Sequence, residues 1–382
     1  LMPNIRKGLM GAAGSGGAGN TLYMWGYNTQ GTLGLGNTTN YSSPVQVPGA
    51  AEWTSFAIGG TNSAAIRADG TLWTWGTSTS GEGGRGNLTT YSSPVQVGTL
   101  TDWASINALL TGTVHAVKTD GTLWGWGLNT SGELGDGTTV SKSSPVQIGA
   151  LTDWSSKISG APKLTHAVKT DGTLWGWGYT GSRGGLGDNT IVNKSSPVQL
   201  GSLTTWANVY NAKYNGCAVK TDGTLWGWGR NFQGEIGNST FRVVYSSPVQ
   251  VGALTTWVKC VPSGSAAKVA VKTDGTLWSW GEGGGNNTRP LPAATTYSSP
   301  VQVGSLTDWA DVFANGGGGS GGGAIKTDGT FWGWGANNKG GIGDGTTINR
   351  TSPVQVGSLT TWGGTTKVNA GSLSRGAIFF PS

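Results

Sequence analysis

Asp120-Gly-Thr-Leu-Trp-Gly-Trp-Gly127 is the stretch on which the reading of this chain turns. The same eight residues return at 171–178 and 222–229, with looser copies at 69–76, 274–281 and 328–335. A seventh copy, at 21–26, lacks the Asp-Gly. The second Trp falls at 25, 75, 126, 177, 228, 280 and 334, a spacing of 50 to 54 residues that marks a repeat architecture. Asp-Gly between apolar runs is a hairpin turn, because the turn needs residues that tolerate positive φ. The residues after it alternate, so Trp124 and Trp126 share one face of a strand while Leu123 and Gly125 share the other. Such strands suit a stack of sheets, the Trp face of one filling the space left by the Gly face of the next. Core packing is the reading of the Trp array; cofactor stacking or a sugar platform is the alternative.

Outward from the phrase, one unit reads as four short strands. Trp103 opens the first, Val114–Lys118 is the second, Thr122–Gly127 the third, and Ser143-Ser-Pro-Val-Gln-Ile148 the fourth after a Gly-rich connection. Ser-Pro-Val-Gln recurs seven times, and Pro at a strand start suits an outer edge because it donates no ladder hydrogen bond. The opening Trp also recurs seven times, from Trp53 to Trp362. With no helical periodicity anywhere, this predicts an all-β fold: a seven-bladed β-propeller of four-stranded antiparallel blades. The chain enters at a third strand and ends after a second strand, 374–380. One composite blade pairing N- and C-terminal strands is therefore expected to close the ring. Residues 21–382 make the propeller, and residues 1–20 a Gly/Ala-rich arm.

Trp126-Gly-Leu-Asn-Thr-Ser-Gly-Glu-Leu-Gly135, with the Ala-Val-Lys-Thr-Asp-Gly strand and turn before it, resembles the repeat of the regulator of chromosome condensation family. The resemblance covers residues 21–380 and implies the propeller fold. It also implies one candidate activity, guanine-nucleotide exchange on a small GTPase. Exchange factors of that family carry an inserted wedge, whereas all seven units here are nearly equal in length. The uniform Trp-Gly-Trp-Gly repeats are similar to those encoded by phages and marine bacteria.

Composition narrows the rest. Charged residues are only 11%, and the net charge of +6 without a Lys/Arg run is too mild to argue for nucleic acid. No stretch reaches the length of a membrane-spanning helix, and the start has a basic pair without the apolar core of a signal peptide. Cys217 and Cys260 stand at non-equivalent repeat positions and read as buried thiols, not as a disulfide framework or zinc site. His115 and His166 share one repeat position, which suits packing or hydrogen bonding. Asp136, Asp188 and Asp344 lack the alternating acidic ligands of a calcium loop. The Gly316–Gly323 run is not followed by the Gly-Lys-Ser/Thr of a phosphate loop and reads as a loose connection. No catalytic set, cofactor site or metal site is expected.

Recognition is expected where the units differ. In an up-down blade the first–second and third–fourth connections share one face, and these vary; the opposite face repeats Thr-Asp-Gly turns and near-identical links. Six of the nine arginines lie in third–fourth connections: Arg85, Arg183, Arg230, Arg242, Arg289 and Arg350, with Phe232 and Phe241 beside them. Arg with aromatics on variable loops over a rigid scaffold is a recognition pattern. The arm is expected to anchor the ring through Ile5, Arg6, Lys7, Leu9 and Met10. Together these suggest a non-enzymatic structural or binding module of a phage virion or extracellular appendage. Its expected partners are other protein subunits, including copies of itself, or a surface glycan or host protein. Neither nucleic acid nor membrane insertion is expected. A nucleotide-exchange regulator, cytoplasmic in location, is the second reading, and a protein inhibitor or sugar-binding lectin the third.

Overall fold

The structure, a computed structural model, describes residues 20–49, 52–264, 266–283, 290–291, 295–314, 321–358, 367–370 and 374–379. The repeated phrase explains itself locally. The Asp120 carboxylate accepts the Thr122 amide at 2.9 Å and the Thr122 hydroxyl at 2.6 Å, and that oxygen accepts the Trp124 indole N–H at 2.9 Å. These donors hold the Asp120 carboxyl below its usual range. Gly121 has φ +79°, and a Cβ there would meet the Thr152 carbonyl at 2.0 Å, so the turn admits only glycine. The same Asp–Thr–Trp relay stands in six turns, from Asp69–Thr71–Trp73 to Asp328–Thr330–Trp332.

The strands assemble into four-stranded antiparallel sheets, the blades of an all-β propeller. Residues 53–96, 103–147, 154–199, 206–250, 257–302 and 309–355 each form one; we call these blades I to VI, and their strands a to d in chain order. In blade II strand a is Trp103–Ala108, b Thr113–Lys118, c Leu123–Gly127 and d Lys142–Gln147. Strand b is buried throughout, whereas d is half exposed at the edge, where its proline leaves no donor wasted. A further sheet joins both chain ends. Thr21–Gly26 pairs with Ser374–Phe379, flanked by Tyr41–Gln46 and Lys367–Ala370.

Each apolar core lies between neighbouring sheets. Trp126 is fully buried against blade I, and its indole N–H donates to the Glu82 carbonyl there at 2.9 Å. Trp75, Trp177, Trp228 and Trp280 make the same bond to Thr32, Glu133, Gly185 and Glu235 of the preceding sheet. The notch that receives each indole is not the strand glycine. A Cβ on Gly84 would lie 2.8 Å from the Trp126 ring nitrogen, and one on Gly135 equally close to Trp177. Gly125 instead leaves room for Leu134, His115 and Ile148 of its own blade. The first Trp of the phrase also has a separate task. Trp124 and Trp103 hold the Lys118 ammonium 4.5 and 5.1 Å from their ring centres, and Asp102 pairs with it at 3.2 Å. Lys169 and Lys326 repeat this with Asp153 and Asp308.

The sheet shared by both ends touches neighbours on each side. Trp75 of blade I reaches Thr32 at 2.7 Å, and the Gly343 loop of blade VI lies against Trp25. The arm residues Ile5, Arg6, Lys7, Leu9 and Met10 lie outside the described residues, as do Arg289, Trp362 and 316–320 of the glycine run. The last three glycines of that run are not connection: they open strand b of blade VI, Gly321–Lys326.

Candidate recognition site on the varied loop face

In blades I, II and IV the a–b turn lies against the c–d loop of the preceding sheet, and the start of strand b follows it there in blades I and III. Ser63 donates to Thr32 O at 2.9 Å and Thr165 to Glu133 O at 3.1 Å. At the seam of blades III and IV this contact becomes a cluster of cations around one aromatic ring. Arg183, from the c–d loop of blade III, stands 4.1 Å above the Tyr214 ring in the a–b turn of blade IV. Lys213 lies 5.0 Å and Arg230 5.3 Å from the same ring. A hydrogen bond with Lys213 lowers the Tyr214 phenol below its usual range, and the charges of Lys213, Arg183 and Arg230 add to it. Arg230 is fixed by its Nε–H to Glu235 at 2.8 Å, a fully buried carboxylate. Arg183 and Lys213 have no carboxylate within salt-bridge distance among the described residues.

Blade IV also has an extended outer hairpin. Its strands c and d run Leu225–Asn231 and Val243–Gln250, longer than Leu123–Gly127 and Lys142–Gln147 of blade II. The extension pairs Arg230 with Val244 and Asn231 with Val243, and carries Phe232 and Phe241, each 46% exposed. Aromatic and valine side chains thus stand in solvent beside the cations. Arg242, in the same loop, is exposed with φ +58°.

Two more of the expected arginines, Arg85 and Arg350, are bound within their own blades. Blade I carries Gly83 where blade II has the buried Leu134, and Arg85 fills that gap. Its guanidinium bonds Thr74, donates to Thr89 O at 3.0 Å and stacks 4.5 Å from the Tyr91 ring. Arg350 is held by Asp344 at 2.6 Å. Of the residues expected at the recognition face, the structure therefore brings together Arg183, Arg230 and Phe232, with Phe241 and Arg242 on the same hairpin. Lys213 and Tyr214 were missed. Their signal was present, since Asn211-Ala-Lys-Tyr-Asn215 is one of the varied a–b connections, but only packing pairs it with Arg183.

Other candidate side chains have settled partners. Asp136, Asp188 and Asp344 accept Thr138, Thr190 and Thr346 within their loops and face Lys142, Lys194 and Arg350. His115 and His166 are fully buried, each bonding a carbonyl, Leu134 O at 3.1 Å and Leu186 O at 2.7 Å. Both rings sit edge-on to the indole of the next blade, at 5.5 Å from Trp177 and 5.3 Å from Trp228. The shared repeat position accordingly serves packing and hydrogen bonding.

Fold and face together define a β-propeller of four-stranded antiparallel blades whose connecting loops differ from unit to unit. The chain carries regulator of chromosome condensation repeats and resembles the proteins of that repeat family. The family's model, "Regulator of chromosome condensation (RCC1) repeat", matches residues 20–66, 120–167 and 328–373. Among curated relatives, the mitochondrial RCC1 domain-containing protein RUG3 of Arabidopsis thaliana is 29% identical, over 75% of this chain and 67% of its own length. The ultraviolet-B receptor UVR8 of the same plant is 27% identical over 90% of this chain and 79% of its own. Human E3 ubiquitin-protein ligase HERC2 is 28% identical over 66% of this chain, which spans only 5% of HERC2. Of solved structures, human WBSCR16 superposes with a TM-score of 0.80 at 16% identity, covering 94% of this chain and 98% of that one. Yeast RCC1 (Prp20), solved with Kap60, gives 0.79 at 16% identity, covering 99% and 96%. These two likenesses are of fold.

The comparisons overturn one expectation. The relatives are plant and human proteins, a mitochondrial protein, a light receptor and a ubiquitin ligase among them. Neither a structural module of a phage virion or extracellular appendage nor a virion location fits that company.

Proposed function

We propose that the protein is a non-enzymatic regulator that grips a protein partner on the face where blades III and IV meet, in the manner of a guanine-nucleotide exchange regulator of a small GTPase. The observation that carries it is the cluster of Arg183, Lys213 and Arg230 around Tyr214, with Phe232 and Phe241 exposed beside it. Cations and aromatics held on a rigid scaffold are the residues that dominate protein interfaces. Relatives across the repeat family support a regulator, and a yeast RCC1 structure is described together with its binding to Gsp1p and histones. The extended hairpin of blade IV is a local departure that gives this face its own shape. We further infer that the ring has seven blades, the sheet shared by both ends being the last.

The test measures binding to, and nucleotide release from, a panel of purified small GTPases. Wild-type protein should bind one member and speed its nucleotide release. Arg183→Glu with Lys213→Glu should weaken binding at least about thirtyfold, as loss of a hot spot of about 2 kcal/mol does. No binding across the panel would remove the exchange reading, and an unimpaired double variant would remove this face.

A further inference from the structure

The seam between blades IV and V buries two thiols and one ammonium group. Cys217 stands on strand b of blade IV, at the repeat position held by His115 and His166 in blades II and III. Those histidines pack on the tryptophan of the next blade, and Cys217 likewise faces the next blade. There it meets Cys260 of strand a, Trp257–Pro262. The Cys260 S–H donates to Cys217 Sγ at 3.0 Å, and Cys217 Sγ lies 3.4 Å from the Cys260 carbonyl. Both are free thiols, 3% and 0% exposed. Trp257, Trp280, Leu225 and Ala270 pack in the same cluster, so the surroundings are apolar.

Lys268 lies at this seam too. It is 1% exposed, and its ammonium bonds the Asn215 side chain. Its charge favours ionisation of both sulfurs. Burial opposes ionisation of Cys217, but the hydrogen bond from Cys260 and the Lys268 charge hold that thiol below its usual range. Burial and the same hydrogen bond push Cys260 well above. The pair is thereby differentiated, Cys217 being the more readily ionised thiol and Cys260 the one that holds its proton.

We propose that Cys217 and Cys260 form an oxidation site at which a hydroperoxide converts the two thiols into a disulfide joining blades IV and V. The Cys217 thiolate attacks the peroxide oxygen, the O–O bond breaks, and the departing oxygen takes a proton to leave as water or an alcohol. Cys217 is left as sulfenic acid, oxidised by two electrons. Cys260 sulfur then attacks Cys217 sulfur, its proton passes to the leaving hydroxyl, and one water is released as the S–S bond forms. The sulfenic acid arises beside its resolving thiol, which favours closure over further oxidation. The bond staples strand b of blade IV, the strand that follows Lys213 and Tyr214, to the next blade.

The test uses the full chain and hydrogen peroxide at one equivalent, followed by denaturation, blocking of residual thiols with a maleimide, and trypsin. Cleavage isolates Cys217 in peptide 214–220 and Cys260 in peptide 260–268. The expected product is these two peptides joined, lighter by two hydrogens and separated by dithiothreitol. Recovery of both as maleimide adducts, or as separate sulfinic acids, would overturn the proposal. Cys260→Ser should leave a Cys217 sulfenic acid that dimedone traps; no trapping would refute the order of attack. Lys268→Met should move the pH of half-maximal closure upward, and an unchanged pH profile would refute the role of the lysine.

Discussion

Lowering the pH from 7 to 5 should destabilise this protein through His115 and His166. Both rings are fully buried, and burial presses each to about 4, against 6.5 for a free imidazole. A histidine whose folded value is depressed resists protonation that the unfolded chain accepts. Its contribution is whole above pH 6.5 and is lost as pH falls through the window down to about 4. Each unit of displacement is worth about 1.4 kcal/mol, so each histidine loses about 2 kcal/mol by pH 5 and about 3 kcal/mol by pH 4. Two independent sites double those figures. The tautomer follows from geometry, because Nε2–H must donate to the Leu134 and Leu186 carbonyls. His115→Gln with His166→Gln should keep a side-chain amide donor at each place and remove the titration. Denaturant unfolding followed by tryptophan fluorescence, at pH 7, 6 and 5, compares the two proteins. Carboxylates such as Glu133, raised by burial, titrate in both and cancel in the difference. Wild type should lose about 4 kcal/mol more than the double variant between pH 7 and 5. Equal slopes for the two proteins across that range would refute the reasoning.

Trp177→Ala empties the seam between blades II and III and should lower stability by about 3–5 kcal/mol in the same assay. Gly135→Ala places a methyl 2.8 Å from the Trp177 ring at φ +85°, whereas Gly149→Ala, at φ +65°, meets open space. The first should destabilise by clearly more than the about 1–2 kcal/mol of left-handed strain expected for the second; equal losses would mean the notch is not tight. Removing residues 372–382 takes away the strand that pairs with Thr21–Gly26. Light scattering should show aggregation and calorimetry a lower melting temperature, and a stable monomer would argue for a ring that does not depend on its ends.

Much of this architecture was legible in one dimension. The turn in Asp120-Gly121-Thr122, the alternation of Trp124 and Trp126, and the edge role of Pro145 are local properties of backbone and side chain. Repetition then supplied what a single strand cannot, since a period near 51 residues is a unit that must stack on its neighbours. The sequence by itself therefore determined blade content, strand order and the face on which the units vary. It did not determine what meets across a seam. That Gly84 and not Gly125 receives an indole, and that Arg183 stands over Tyr214, are contacts between different blades. Cys217 and Cys260 look unrelated along the chain, 43 residues apart, yet their sulfurs touch. Only the tertiary structure decided these, because the rotation from one blade to the next sets which side chains share a volume, and no local preference encodes that rotation.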